Sequence, residues 1–170
     1  WEAMEAAGLT EGQQLLKDAF TEYGFKDYTV ISKGDVDIAV MGIFGEDSLA
    51  CAPTCELLFK NPVEAAKETV AEIEANEDVD MIVCVSHSGT NSDESKSEDE
   101  ILAKEVPEID LIVSGHTHTV LEEPIQHGNT YIVSCGEYGK YLGNLSMTEV
   151  SEGVWNLSEY ELIPVREDVA

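Results

Sequence analysis

Three apolar runs govern what this chain can fold into: VDIAVMGIF at 36–44, VDMIVCVSH at 79–87 and IDLIVSGH at 109–116. None approaches the roughly 18 apolar residues that a membrane helix needs. All are too continuously apolar for strands with one wet face, so they read as buried strands of a sheet covered on both faces. Helical patterns lie between them. NPVEAAKETVAEIEANE (61–77) places Ala, Val and Ile at helical spacing behind Pro62, and EDEILAKEV (98–106) is a shorter helix. Strand, helix, strand in that order implies parallel neighbours joined by a right-handed crossover.

The flanks extend this pattern. The opening WEAMEAAGLTEGQQ reads as amphipathic helix, and TEGQQLLKDAFTEY (10–23) starts at Thr10 as an N-cap. DYTVIS (27–32) joins the first long strand through the turn Lys33-Gly34-Asp35, and TYIVSCG (130–136) continues the sheet. YLGNLSMTEV (141–150) and VWNLSEYELIPV (154–165), separated by Ser151-Glu152-Gly153, predict an antiparallel hairpin. The whole reads as one α/β unit. The segment with Gly45, Pro53, Cys51 and Cys55 is expected to be a loop. The Ser-rich acidic stretch 92–100 is expected to be a solvated surface, and Cys84 and Cys135 are expected to be core residues.

Charge narrows the partners. Thirty-five acidic residues against nine basic ones give a formal net charge of −26. Such a surface repels nucleic acid and anionic membranes, so neither is an expected partner. It would also repel an anionic substrate unless bound cations reverse the local field. The chain opens on Trp1 with no initiator methionine and no signal-peptide pattern. A mature protein can begin this way, and so can a piece of a longer one.

Two of the apolar runs end in histidine. His87 closes VDMIVCVSH, and His116 and His118 follow IDLIVSG. In open parallel sheets, ligands bind beyond the carboxyl ends of the strands. Neighbouring strands would therefore bring three imidazoles to one edge, with Gly89, Gly115 and Thr117 leaving room beside them. If the chain stays extended, His116 and His118, two residues apart, share a face. Imidazoles so clustered suit Zn, Mn or Fe. His127, in the turn-like EPIQHGNT, is expected to be structural.

From about Asp37 to Gly143 the sequence resembles the calcineurin-like metallophosphoesterases, and among them the 5′-nucleotidase group. The likeness rests on VDMIVCVSHSG, IDLIVSGHTHT, IVSCGEYGKYLG and IAVMGIFGEDS. It implies a two-sheet α/β sandwich flanked by helices, and a dinuclear centre of two divalent ions (Mn, Zn, Fe or similar). His87 and His116 would bind one metal and His118 the other. In the family the ions bridge a phosphate ester, activate a hydroxide nucleophile and neutralise phosphoryl charge, as two-metal sites do in general. The substrate implied is a small phosphorylated molecule, a nucleotide in that group. Such enzymes are generally exported or bound to the cell envelope.

Three further motifs of the family are not found. There is no Asp-x-His and no Asn-His pair, so the family's catalytic histidine has no counterpart here. Gly34-Asp35-Val36-Asp37 is one residue short of Gly-Asp-x-x-Asp and reads as turn chemistry. Asp47 lies just beyond a strand, at an edge that could approach the site, and is expected to be solvated. Residues 1–170 are therefore expected to form the C-terminal portion of the domain, with the motif region at about 36–143 and the hairpin at about 141–165. Three imidazoles divided between two ions fall short of the usual three or four ligands each, so partial or no metal occupancy and little activity are expected of this chain. The alternative is a non-catalytic metal-binding or interaction module that keeps the fold. Half a sandwich would also expose apolar sheet surface, through which copies of the chain could associate.

Overall fold

A computed structural model describes residues 2–24 and 26–166. Two helices come first, α1 (Glu2–Ala7) and α2 (Glu11–Tyr23), the second starting where Thr10 was expected to cap it. Thr10 divides them. Its hydroxyl accepts the Gln13 amide while the Gln13 side chain accepts the Thr10 amide, a reciprocal cap that starts α2. Then come β1 (Tyr28–Lys33), β2 (Val36–Phe44), α3 (Glu46–Ala50), α4 (Pro62–Asn76), β3 (Met81–His87), α5 (Glu98–Glu105), β4 (Leu111–Ser114), β5 (Ile125–His127), β6 (Thr130–Val133), β7 (Tyr141–Ser151) and β8 (Val154–Pro164). The expected loop after β2 contains the short helix α3, and the turn-like segment around His127 is strand β5.

The main sheet has the order β1-β2-β3-β4-β6-β5. Strands β2, β3, β4 and β6 run parallel, while β1 and β5 are antiparallel edges. The crossover segments carry α4 and α5, and both helices cover one face. Ala66, Val70 and Ile73 of α4, with Leu102 and Ala103 of α5, join Ala39, Met41, Cys84, Ile112 and Ile132 of the strands in a single core. Burial pushes the Cys84 thiol pKa up to about 12, so it acts as a core residue. Cys135, expected in the core, is exposed, because β6 ends at Val133 and Cys135 lies beyond it in an isolated bridge to Val120.

The opposite face is covered only in part. The β7–β8 hairpin reaches it where Tyr131 Oη lies 3.3 Å from Asn156 Oδ1 and the buried Trp155 donates Nε1–H to the Asp80 carbonyl at 2.6 Å. Nearer the carboxyl ends of the strands, Gly42, Val85 and Val113 stand in register across β2, β3 and β4. Val85 is 51% and Val113 38% exposed, and Phe44 beside them is 45% exposed. This apolar stripe and His87 line one open concavity of about 480 Å³. Covering on both faces, expected from the composition of the strands, holds here for only part of their length.

Asp110, just before β4, accepts the Ile82 amide at 2.8 Å. Burial pushes its carboxyl up to about 6. A folded-state pKa above the unfolded value of about 3.9 means that the native state holds this proton more tightly. That contribution is complete below about pH 4 and is lost as pH rises through about 6. Asp110→Asn keeps an acceptor for Ile82 and removes the ionisation. The variant should gain on the parent by about 1 kcal/mol between pH 4 and 7, a figure reduced for partial water access. Thermal melts of both proteins across that range check it; a constant difference in Tm would refute it.

Candidate metal centre

Strands β3 and β4 are parallel neighbours, and both present their carboxyl ends on the side where His87 and His116 emerge. The two rings meet edge to face with centroids 5.0 Å apart. Phe44, the register partner of His87 on β2, stacks on the His87 ring with centroids 5.9 Å apart. His118 goes elsewhere. Strand β4 stops at Ser114, and both His116 (φ 68°) and His118 (φ 56°) are left-handed. The shared-face expectation required extended backbone, so it fails. His118 Nδ1 instead lies 2.7 Å from Glu137 Oε2, and its ring rests against Tyr138 at 5.7 Å. Lys140 also pairs with Glu137, at 2.7 Å, and this ammonium is the main cause holding that carboxyl below the usual range.

Asp47, expected to be solvated, places Oδ2 3.1 Å from His116 Nε2. Two imidazoles with an adjoining carboxylate are a donor set that suits a divalent transition metal. Among the described residues, however, no group of three ligand atoms within 4.8 Å of one another includes His87, His116 or His118. The one such group is Glu94, Glu100 and His127. There His127 Nε2 lies 2.8 Å from Glu100, and Lys104 already pairs with Glu94, so the cluster reads as an ion-pair network tying α5 to β5.

The histidine edge is built on the start of α5. Glu98 accepts the Glu46 and Asp47 amides, each at 2.9 Å, and so fixes α3 and with it Asp47. Asp99 reaches the β3 exit: Oδ1 accepts Ser86 Oγ–H at 2.6 Å and Oδ2 accepts the Gly89 amide at 3.1 Å. Its own amide donates back to the Gly89 carbonyl at 3.1 Å. Burial raises the Asp99 pKa, and these hydrogen bonds partly offset the rise. The His87 carbonyl is held from α3 by the Ser48 hydroxyl and by the Gly45 amide. The stretch 92–100 is therefore not simply a solvated surface. Ser97, Asp99 and Glu100 are buried, because the loop folds back so that helix α5 can pack on the sheet. A run of acids and serines looks solvated in sequence, and only the position of Asp99 in the first turn of a helix behind a histidine-ended strand hinted otherwise.

Gly89 brings the two histidine loops together. It has φ +97°, and a Cβ there would overlap Thr117, whose Oγ1 would be 2.8 Å away. Thr117 Oγ1 accepts the Thr90 amide at 3.2 Å, which locks the SHSG and GHTH loops against each other.

The family model described as calcineurin-like phosphoesterase matches residues 10–120 of the 170. This chain belongs to the calcineurin-like phosphoesterases. It is similar to the trifunctional nucleotide phosphoesterase protein YfkN of Bacillus subtilis, with 31% identity over 86% of this chain and 10% of that protein. It is also similar to the 5′-nucleotidase of Vibrio cholerae, with 34% identity over 83% of this chain and 30% of the relative. Among solved structures, the 5′-nucleotidase precursor of Thermus thermophilus superposes with a TM-score of 0.67 at 24% identity, over 86% of this chain and 31% of that one. That likeness shows the fold. This chain thus spans under a third of the length of these relatives.

Proposed function

We propose that this phosphoesterase chain contributes one side of a dinuclear metal centre that hydrolyses phosphomonoesters, with nucleotides as the substrate class. The observation that carries the reading is the contact of His87 and His116 at the carboxyl ends of two parallel strands, within residues matched by the family. His87 and His116 would hold one ion, with Asp47 within reach of His116, and His118 the other. Bound metals would supply positive charge against the phosphoryl oxygens on a protein of formal charge −26. Glu137 accepts a proton-bearing Nδ1 of His118 in one tautomer, which frees the other ring nitrogen for a metal.

Residues 1–170 act, in this reading, as the C-terminal portion of the catalytic domain. The Gly42–Val85–Val113 stripe then marks where the remaining layer of the sandwich belongs, and without that layer a second copy can cover it. Relatives named as 5′-nucleotidases support a nucleotide substrate and, by the resemblance, an exported parent protein. Among the described residues no helix is long and apolar enough to cross a membrane. A non-catalytic module is the second reading. It is favoured by the carboxylate partners that His116 and His118 already have.

Four observations bear on these readings. The reading frame upstream of Trp1 should encode Asp-x-His, Gly-Asp-x-x-Asp and Gly-Asn-His in that order, and the longer protein should hydrolyse nucleoside monophosphates with Mn²⁺ or Zn²⁺. This chain alone should turn over little p-nitrophenyl phosphate with either ion; rapid turnover would overturn the assignment of the absent motifs as indispensable. His116→Ala should weaken Co²⁺ or Zn²⁺ binding by tenfold or more, an order-of-magnitude expectation for losing a ligand or its support. An unchanged titration removes His116 from the ligand set.

A further inference from the structure

We propose that Asp99 is a positioning residue for the histidine pair: one buried carboxylate holds the strand ends that present His87 and His116 at a fixed separation. The proposal rests on the metal-centre reading above. Ser86 and Ser114 are register partners on β3 and β4, one residue before His87 and two before His116. The Asp99 carboxylate accepts from Ser86 and from the Gly89 amide, while the Asp99 amide returns a bond to the Gly89 carbonyl. The turn His87-Ser88 is thereby clasped on both sides by one residue. Ser114 Oγ is buried towards the same carboxylate and reaches full hydrogen-bond geometry with no partner among the described residues. Gly89 passes the constraint on, because it packs against Thr117, the residue between His116 and His118.

The chemistry at this spot asks for an anion. Hydroxyl and amide donors converge on it, and an amide side chain would turn its own NH₂ towards one of them. Asp99 has no exposed surface, and the neighbouring Glu98 carries a charge of the same sign. An apolar side chain would satisfy packing without the desolvation penalty of a buried charge. The bonds this carboxylate makes fix geometry at the strand ends, and groups that orient metal ligands from behind are the ones whose loss weakens binding.

The test uses this chain, with Co²⁺ as the probe and the ¹H–¹⁵N resonances of the histidine rings as a readout that needs no metal. Asp99→Asn should remain folded by far-UV circular dichroism, shift the His87 and His116 ring resonances, and bind Co²⁺ on the order of 10–100-fold more weakly. Ile73→Ala on α4 supplies the control for general destabilisation. It should lower Tm while leaving Co²⁺ affinity and the ring resonances where they were. A folded Asp99→Asn with unmoved ring resonances and parental Co²⁺ affinity overturns the proposal. If Asp99→Asn does not fold, Ser86→Ala carries the test, since it keeps the carboxylate and removes one donor. Shifted His87 resonances support the proposal, and unshifted ones overturn it. Should His116→Ala leave the Co²⁺ titration unchanged, the metal-centre reading fails by itself, and the ring resonances decide the positioning role.

Discussion

Gly89→Ala is expected to lower stability by about 3 kcal/mol, a fall in Tm on the order of 10 °C for a chain of this size. Two causes add. A non-glycine residue at φ +97° carries a backbone penalty of about 1–2 kcal/mol. The new methyl also overlaps Thr117, and overpacking of this kind costs about 1–3 kcal/mol. The second cause is separable. Thr117→Ala removes the γ atoms that the methyl would strike, so the double variant should recover about 1 kcal/mol relative to the sum of the single changes. Thermal melts of the four proteins give the cycle. A Gly89→Ala variant that melts with the parent would mean that the two loops are not pressed together as described.

Ile112→Ala is expected to cost about 3–4 kcal/mol, since Ile112 is fully buried between Cys84 and Ile132 under α4 and α5. Its neighbour provides the contrast. Val113 lies on the opposite face and is 38% exposed, so Val113→Ala should cost less than about 1 kcal/mol. Urea unfolding of both variants measures the difference between a covered and an open face within a single strand. Equal losses would show that the second face is buried in solution, and a concentration-dependent midpoint would then identify a second copy as the cover.

The strands could be read from the sequence because apolar runs such as 79–87 leave few alternatives, and α2 and α4 because Thr10 and Pro62 mark their starts. Helix α3 could not. Its five residues have no strong pattern, and its amide caps come from Glu98, about fifty residues downstream. Strand β5 is three residues long and depends on pairing with β6. The histidine motifs located the edge of the sheet, yet the left-handed backbone at His116 and His118 is set by the packing of two loops and is invisible to a rule about alternation. Asp99 was hidden for a related reason. Composition judged the stretch around it by its charge, whereas its burial comes from donors contributed by strand β3.

The C-terminal hairpin is fastened to the main sheet like a buckle. Trp155 hooks the Asp80 carbonyl below the start of β3, and Tyr160 Oη bridges the carbonyls of Leu121 and Ser134 at 2.9 and 3.3 Å. The second fastening grips the chain three residues after His118 and three before Glu137. Tension or torsion applied along β8 is therefore delivered through Tyr160 to the two segments that hold the His118 ring, and through Trp155 to the start of the strand that ends in His87.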